Sequence, residues 1–293
     1  MATKRYVYPR LGRAGLGNEL FPFLRAVDLS WRGEAQLIPP RWFKLRLGPW
    51  VRRERDRRNY WLLFRRPGIL TRLLRLNIEI FNLVSLVAPF KCVRGVTVIR
   101  PRGMGNYFAE LTHAPGRYRA YLAASARPRC LSARPGIPYI IFHVRLGDFA
   151  RQGDTVKALS ANNTSTAVHW YVSQVEHLVE NLPSLPIYVA SDGNDQELLQ
   201  LLAYPNVTRT SARNALDEMF WLANAAGIVG SRSTFTAWGA FLGEVPLLVF
   251  AGGNAYRPHQ EVWENDGTSR PCEWLSAVRV RADEPSSLRI DSA

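Results

Sequence analysis

The sequence predicts an α/β protein of two lobes, each built on a parallel β-sheet. Short apolar segments rich in β-branched residues alternate with helical segments along most of the chain, a pattern typical of parallel sheets. The length of 293 residues is enough for two domains of ordinary size. A hydrophobic content of 47% excludes a generally disordered chain.

The first lobe is predicted to begin as a β-α-β unit with a glycine-containing loop between its first strand and first helix. The predicted elements, in order, are strand 5–8, helix 18–32, strand 35–38, helices within 66–87, strand 96–99 and helix 107–124. The Pro- and Arg-rich residues 126–135 are predicted to link two domains, an acceptor-side lobe at 1–135 and a nucleotide-binding lobe at 136–293.

The second lobe shows the alternation of strands and helices more clearly. The predicted elements are strand 138–144, helix 167–181, strand 187–190, helices 195–203 and 215–226, strand 228–230, helix 234–242 and strand 247–250. Ligands of open parallel sheets bind beyond the carboxyl ends of the strands, so the residues that follow strands 138–144 and 228–230 are the first candidates for a site.

Charge is concentrated in one part of the chain, whose formal net charge is +14. Twelve basic residues lie between Arg41 and Arg75, against Glu54 and Asp56, with aromatic residues between them. This pattern indicates either a solvated surface or an anionic membrane surface as partner, with the aromatic rings at the interface. Nucleic acid is disfavoured because no nucleic-acid-binding motif accompanies the basic residues.

The lack of a signal peptide and the cysteine usage predict a cytoplasmic protein. The basic residues add the expectation of a peripheral position on the inner face of the membrane. The amino-terminal residues lack the apolar segment of a signal peptide, and residues 69–89 carry too many polar groups for a membrane span. The three cysteines form neither a metal-binding pattern nor a disulfide framework. No Asp-x-Asp motif occurs, so we expect a site without metal and without a cofactor.

Three segments carry the residues suited to chemistry. Gly15 and Gly17, followed by Asn18, form a strand-to-helix turn that can cradle phosphate or admit a sugar. The segment from His143 to Phe149 ends a buried strand with His143, Arg145 and Asp148, and an arginine fork suits a phosphate. The third segment is Gly-Ser-Arg-Ser-Thr-Phe at 230–235, where hydroxyls and helix N–H groups suit a phosphate or simply cap the helix.

Together these segments resemble the α1,2-fucosyltransferase family and, more loosely, the superfamily that includes α1,6- and protein O-fucosyltransferases. The family's Gly-Gly-Leu-Gly-Asn-Gln-Leu-Phe loop is matched by 14–21, its His-x-Arg-Arg-Gly-Asp-Tyr motif by 143–149, and its Asn-Ser-Ser-Phe-Ser-Trp-Trp-Gly-Ala-Trp-Leu motif by 232–242. A Ser-Asp pair is matched by Ser191-Asp192. The resemblance implies a GT-B-like architecture, in which two Rossmann-type lobes face a central cleft.

The resemblance also implies the reaction and the residues. L-Fucose would pass from GDP-β-L-fucose to a sugar hydroxyl with inversion, in polysaccharide or glycolipid synthesis. Arg145 would stabilise the departing diphosphate, Ser233 and Thr234 would hold its β-phosphate, and His143 and Asp192 would lie near the guanosine. The implied catalytic residues are Arg145, Asp148 and Glu19. The implied GDP-sugar-binding residues are Gly15, Gly17, Asn18, His143, Arg145, Asp192, Ser231, Arg232, Ser233, Thr234 and Phe235.

The chain departs from the family pattern at several positions. Leu146 stands in place of the second arginine, Glu19 in place of glutamine, and Arg232 in place of asparagine. Asp148, Glu19 and His143 all stay open as the general base. Two other functions stay open as well: a transferase for another nucleotide sugar on the same scaffold, and a non-catalytic protein whose basic residues bind a membrane or nucleic acid.

Overall fold

The computed structural model describes residues 4–12, 14–43, 60–87, 96–146, 166–251 and 256–284, with the backbone alone for 81–87. These residues form two compact units. The first contains the described residues of 1–45 and 58–111, and the second contains those from 112 onwards. Each unit carries its own parallel sheet, which confirms the predicted α/β class.

The first unit is a small three-stranded sheet with two helices. Its elements are β1 (Lys4–Val7), α1 (Leu16–Trp31), β2 (Gln36–Leu37), α2 (Ile69–Val87) and β3 (Val96–Ile99). The strands pair in the order β2-β1-β3, and both pairs are parallel. Helix α1 crosses from β1 to β2 and packs on both strands, so the predicted β-α-β unit is confirmed.

Aromatic packing holds the first unit together beside its sheet. The ring of Trp42 stacks on Phe64 with centroids 4.1 Å apart, and Phe23 of α1 meets Trp42 edge-on at 5.2 Å. All three rings are buried, as is that of Tyr60. Several aromatic residues of the basic stretch therefore belong to a core and not to an interface with a partner.

The second unit is a six-stranded sheet covered by helices. Its elements are α3 (Pro115–Ser125), β4 (Ile140–Val144), α4 (Val168–Asn181), β5 (Ile187–Ser191), α5 (Leu199–Leu202), β6 (Val207–Arg209), α6 (Ala215–Ala223), β7 (Gly227–Gly230), α7 (Thr234–Gly243), β8 (Leu247–Phe250), β9 (Val262–Asn265) and α8 (Cys272–Asp283). The strands are all parallel in the order β6-β5-β4-β7-β8-β9.

That order makes the sheet doubly wound. Counted within the unit, the strands run 3-2-1-4-5-6, so the direction of winding reverses between β4 and β7. Alternate residues of β4 point to opposite faces. Ile140, Phe142 and Val144 join the core made with α4, α5 and α8, whereas the side chain of His143 points to the face covered by α6 and α7.

The sequence located most of the elements of this unit and missed three. Strands β6 and β9 are short, and β9 carries Glu264 and Asn265, so neither shows a clear apolar run. Helix α8 buries only Trp274, Leu275 and Val278, which gives a weak helical periodicity. The helix expected at 107–124 begins at Pro115, because residues 105–113 form turns, and it belongs to the second unit.

The residues between the two predicted domains are fastened to the second unit. Ser132 donates its backbone N–H to Asp217 of α6 at 2.9 Å, and Asn214 donates to the carbonyl of Cys130 at 2.7 Å. Helix α3 packs on α7 of the same unit. The functional division expected at residue 135 stays a prediction. Of the chain described above, no helix is both long and apolar enough to cross a membrane.

The contact between α6 and α7 leaves no room for a side chain at Gly243. A Cβ atom there would overlap the backbone carbonyl of Ala223, which cannot move away as a flexible side chain could. We therefore expect Gly243→Ala to lower the free energy of unfolding by about 3 kcal/mol. Urea denaturation followed by circular dichroism measures this change.

The matched control is Gly116→Ala in the first turn of α3. A Cβ atom at Gly116 meets nothing within 4 Å, and alanine favours a helix, so this variant is expected to be neutral or slightly stabilising. If Gly243→Ala lost no more stability than this control, the α6–α7 contact would be looser than described.

Candidate functional site

The candidate site lies where the winding of the six-stranded sheet reverses. His143 of β4 is in register with Gly230 of β7, so the residues that follow both strands leave the sheet side by side. These residues include Arg145 after β4 and the segment Ser231–Thr234 after β7. In doubly wound sheets this is the position at which a ligand can approach the carboxyl ends of the strands without being blocked by a crossover helix.

A buried hydrogen-bond network joins the two strand ends. Nδ1 of His143 lies 2.6 Å from Oγ1 of Thr236 and 3.3 Å from Oγ of Ser231. The hydroxyls of Ser233 and Thr236 are 2.9 Å apart, and Ser233 also accepts the backbone N–H of Thr236 at 3.1 Å. The ring of His143 stacks on Phe235 with centroids 5.2 Å apart. The network therefore fixes the amino terminus of α7 against β4.

His143 is neutral in this environment. Its burial, together with the charge of Arg145, lowers the pKa of its imidazole to about 3. Nε2 lies 3.6 Å from Oε1 of Glu218, which is beyond hydrogen-bond distance. A buried ring with this pKa accepts protons poorly near neutral pH, so the geometry favours a positioning role for His143 over proton transfer.

Arg145 emerges at the carboxyl end of β4 and is paired with a carboxylate. Its Nε lies 3.7 Å from Oδ2 of Asp192, and both side chains are about a quarter exposed, at 26% and 29%. Oδ1 of Asp192 accepts the backbone N–H of Leu146 at 2.8 Å. Asp192 therefore ties the segment after β4 to the end of β5, and it holds the guanidinium at the edge of the sheet.

Arg232 provides a second cation at the end of β7. Its guanidinium carbon lies 6.0 Å from the ring centroid of Phe250, and its buried Nη1 atom has no hydrogen-bond partner among the described residues. Burial raises the pKa of Tyr171, the Arg232 charge lowers it, and the Asp192 charge raises it, so both groups lie near this phenol. The Tyr171 hydroxyl donates to the carbonyl of His143 at 3.3 Å.

The amino terminus of α7 is closely fitted to the end of β7. The Ser233 side chain caps the helix, and Gly230 allows the first turn to cross over the strand. A Cβ atom at Gly230 would overlap the methyl group of Thr236. Because the first N–H groups of a helix have no partner within it, this terminus presents donors and a partial positive charge.

The glycine loop of the first unit is closed by Glu19. The two carboxylate oxygens of Glu19 accept the backbone N–H groups of Gly12 at 2.6 Å and Ala14 at 3.1 Å. The carboxylate is buried. Gly15 precedes α1 in an extended conformation, and a Cβ atom there would meet nothing within 4 Å. Packing therefore does not demand glycine at position 15.

The structure gathers most of the predicted site residues in the second unit. Those that lie at the end of β4 or follow β4, β5 and β7 there are His143, Arg145, Asp192, Ser231, Arg232, Ser233, Thr234 and Phe235. The others, Gly15, Gly17, Asn18 and Glu19, belong to the first unit, and Asp148 lies outside the described residues. Among the residues with described side chains, no group of three or more His, Cys, Asp or Glu could hold a metal ion.

Sequence reasoning missed Thr236, Tyr171 and Glu218, which contact or approach His143. Only Thr236 carried a signal, since it follows the predicted cap Ser233 by three residues and so lies over the first helical turn. Tyr171 and Glu218 come from other helices, and nothing in their local sequence indicates the contact.

Comparisons with known proteins give structural similarity only. No protein-family model matches the chain, and no curated protein matches it. Among solved structures, α-1,6-fucosyltransferase NodZ co-crystallised with GDP is 16% identical, with a TM-score of 0.46 over 85% of this chain and 96% of that chain. Fucosyltransferase NodZ from Bradyrhizobium gives 14% and 0.47, over 84% and 96% of the two chains.

A third similar structure is POFUT1 in complex with GDP. It is 13% identical, with a TM-score of 0.44 over 85% of this chain and 98% of that chain. Similarity at this level does not define a family, and the function proposed below rests on the residues of the site.

The depressed pKa of His143 predicts a loss of stability as the pH falls. An unfolded histidine takes up a proton near pH 6.5, whereas the buried ring stays neutral down to about 3. Its stabilisation is therefore complete above the unfolded pKa and declines towards the folded pKa, by up to about 1.4 kcal/mol per pH unit. His143→Gln should flatten this decline, which urea denaturation between pH 8 and pH ~5 measures.

Burial also lowers the pKa of His259, to about 4, so part of the slope will persist in the variant. The stability curves of wild type and His143→Gln could instead run parallel over this pH range. That result would show that His143 takes up its proton at the same pH in the folded and the unfolded protein. The measurement at pH 8 is the internal control, because it records the loss of packing alone.

Proposed function

We propose that this chain is a glycosyltransferase that moves L-fucose from GDP-β-L-fucose to a sugar hydroxyl with inversion. The observation that carries the proposal is the pairing of two strand ends at the reversal of a parallel sheet, one bearing Arg145 and the other Ser-Arg-Ser-Thr at the start of α7. The motif order resembles α1,2-fucosyltransferases, and we propose that linkage, in polysaccharide or glycolipid synthesis.

The charge of the site suits a departing diphosphate. When the bond between fucose C1 and the phosphate oxygen breaks, the electron pair leaves with GDP and adds negative charge to it. Arg145 and Arg232 supply cations on two adjacent strand ends, and the first turn of α7 supplies N–H donors. Stabilising that charge as it develops lowers the barrier without a metal ion, which agrees with the absence of an Asp-x-Asp motif in the sequence.

Arg232 is proposed as the second phosphate-binding cation. The family pattern places a second arginine at the position of Leu146, and Leu146 packs against the apolar core instead. Arg232 follows β7, whose last residue is in register with His143, and its buried Nη1 has no acceptor in the part of the chain that the structure describes. A phosphate oxygen would provide that acceptor.

We propose Asp148 as the general base that takes the proton of the acceptor hydroxyl. The acceptor hydroxyl oxygen bonds to C1 on the face opposite the departing diphosphate, and its proton passes to a base or to water. The Glu19 carboxylate is occupied by two backbone amides, and the buried ring of His143 has a low pKa. Asp148, three residues after Arg145 in the sequence, is the remaining candidate.

The other proposed contacts follow from the same placement. Ser231, Ser233, Thr234 and Phe235 line the start of α7, and their backbone or hydroxyl groups would hold the β-phosphate. Asp192 would accept from the guanine N–H edge, and Gly15, Gly17 and Asn18 are kept as proposed GDP-sugar-binding residues. We propose a cytoplasmic location on the inner face of the membrane, where a glycolipid acceptor would be present.

Nucleotide binding tests the proposal directly. Isothermal titration calorimetry with EDTA present should show GDP binding more tightly than UDP, because only the guanine base offers the proposed N–H edge. Arg145→Ala and Arg232→Ala should each weaken GDP binding at least about tenfold, since each removes a charged hydrogen bond to phosphate.

The control variant is Arg270→Ala, which removes an exposed arginine paired with Glu180 on the surface of the same unit. This variant should bind GDP as the wild type does. Equal affinities for GDP and UDP would overturn GDP-fucose as the donor and favour another nucleotide sugar. No nucleotide binding, and no product by mass spectrometry with GDP-fucose and a panel of sugar acceptors, would overturn the enzyme.

A further inference from the structure

The surface of helix α2 carries an apolar stripe that the described residues leave uncovered. Ile69, Leu73, Leu76 and Ile80 are spaced three or four residues apart, so they lie on one side of the helix, and Leu70 extends the same side. These five side chains, here called the α2 stripe, are between 50% and 83% exposed. Exposed apolar residues elsewhere, such as Ile137, Leu199 and Val280, are separated along the chain.

The other side of α2 packs against the rest of the first unit. Ile78 is buried, and Glu79 accepts a hydrogen bond of 2.6 Å from the hydroxyl of Tyr8 in β1. The helix therefore packs on the first unit through one face. A second apolar face on the same helix needs a partner, because contiguous exposed apolar surface is unusual in a soluble monomer.

Positive charge lies just before helix α2 and on the helix itself. Arg65, Arg66 and Arg72 are exposed, and Arg72 lies beside the stripe on the helix with its Nε donating to the Pro67 carbonyl at 2.9 Å. Arg66 lies 5.3 Å from the ring centroid of Trp61. The only acidic residue between positions 60 and 80 is Glu79, which is turned towards Tyr8. The charge next to the stripe is thus of one sign.

We propose that the α2 stripe docks on an anionic lipid surface, with the helix lying in the plane of the interface. An apolar face flanked by arginines, with a tryptophan beside it, is the combination that binds the boundary between head groups and acyl chains. Arg66 and Arg72 would reach the negatively charged head groups while the leucines and isoleucines enter the acyl region. This surface belongs to the first unit and does not depend on the nucleotide chemistry proposed for the second.

Charge also decides between lipid and a second copy of the chain. Two stripes packed together would bring the flanking arginines of both copies close to one another, on chains that each carry a formal net charge of +14. Such an arrangement is opposed by repulsion, whereas an anionic membrane neutralises the same residues. The complementary partner is therefore the lipid surface.

Flotation of the full-length chain with vesicles tests the inference. The chain should float with vesicles of phosphatidylcholine mixed with phosphatidylglycerol, and much less with phosphatidylcholine alone. Leu73→Gln combined with Leu76→Gln should reduce binding at least about tenfold, since both side chains would enter the acyl region. Arg66→Gln and Arg72→Gln should each reduce it about fivefold.

The matched control is Leu199→Gln, which changes an exposed leucine on α5 and should leave binding unaltered. All of these positions are on the surface, so thermal unfolding by circular dichroism should be similar for every variant. Equal binding of the wild type and the double leucine variant would overturn the proposal. A wild-type dimer in sedimentation velocity that the double variant separates into monomers, without lipid binding, would overturn it in favour of self-association.

Discussion

The packing of His143 against the first turn of α7 is the contact on which the candidate site depends. The imidazole is buried between β4 and α7, and its hydrogen bond to Thr236 and stacking on Phe235 set the position of the helix terminus relative to the strand end. Breaking such a contact leaves buried hydroxyls without partners, which is costly in a low-dielectric interior. The arginines and helix N–H groups proposed to face a ligand consequently lie next to a buried, neutral network.

The residues of the motifs fall into two groups, those bonded to their neighbours and those placed to meet an anion. Residues that the motifs single out do not all point to the ligand. His143 and Ser233 are engaged with their neighbours in the network, and Glu19 closes the loop at Gly12 and Ala14. The groups best placed to meet an anion are Arg145, Arg232 and the backbone of the first turn of α7. Under the proposed function, most side chains of these motifs would therefore shape the backbone, and few would contact the ligand.

The sequence predicted the alternation of strands and helices, and with it the parallel sheet, because β4, β7 and β8 are short apolar runs bounded by turn residues. Strand order could not be predicted, since it depends on crossovers between distant segments. The partners of His143 were largely missed for the same reason: Tyr171 and Glu218 belong to α4 and α6. The sequence analysis expected the aromatic residues of the basic stretch at a membrane interface. Trp42 and Phe64 are instead buried against Phe23 and belong to the core.

Because Arg145 is already paired with Asp192, a phosphate that binds Arg145 would have to replace the carboxylate of Asp192. An incoming phosphate does not meet a bare cation, since a carboxylate already lies beside it. The measured affinity would then be the difference between two anions competing for one guanidinium, and the displaced carboxylate would be left to water or to the ligand's own donors. A ligand carrying one charge gains little from that replacement, whereas a pyrophosphate gains more. Under the proposed function, the pair would therefore favour anions of higher charge.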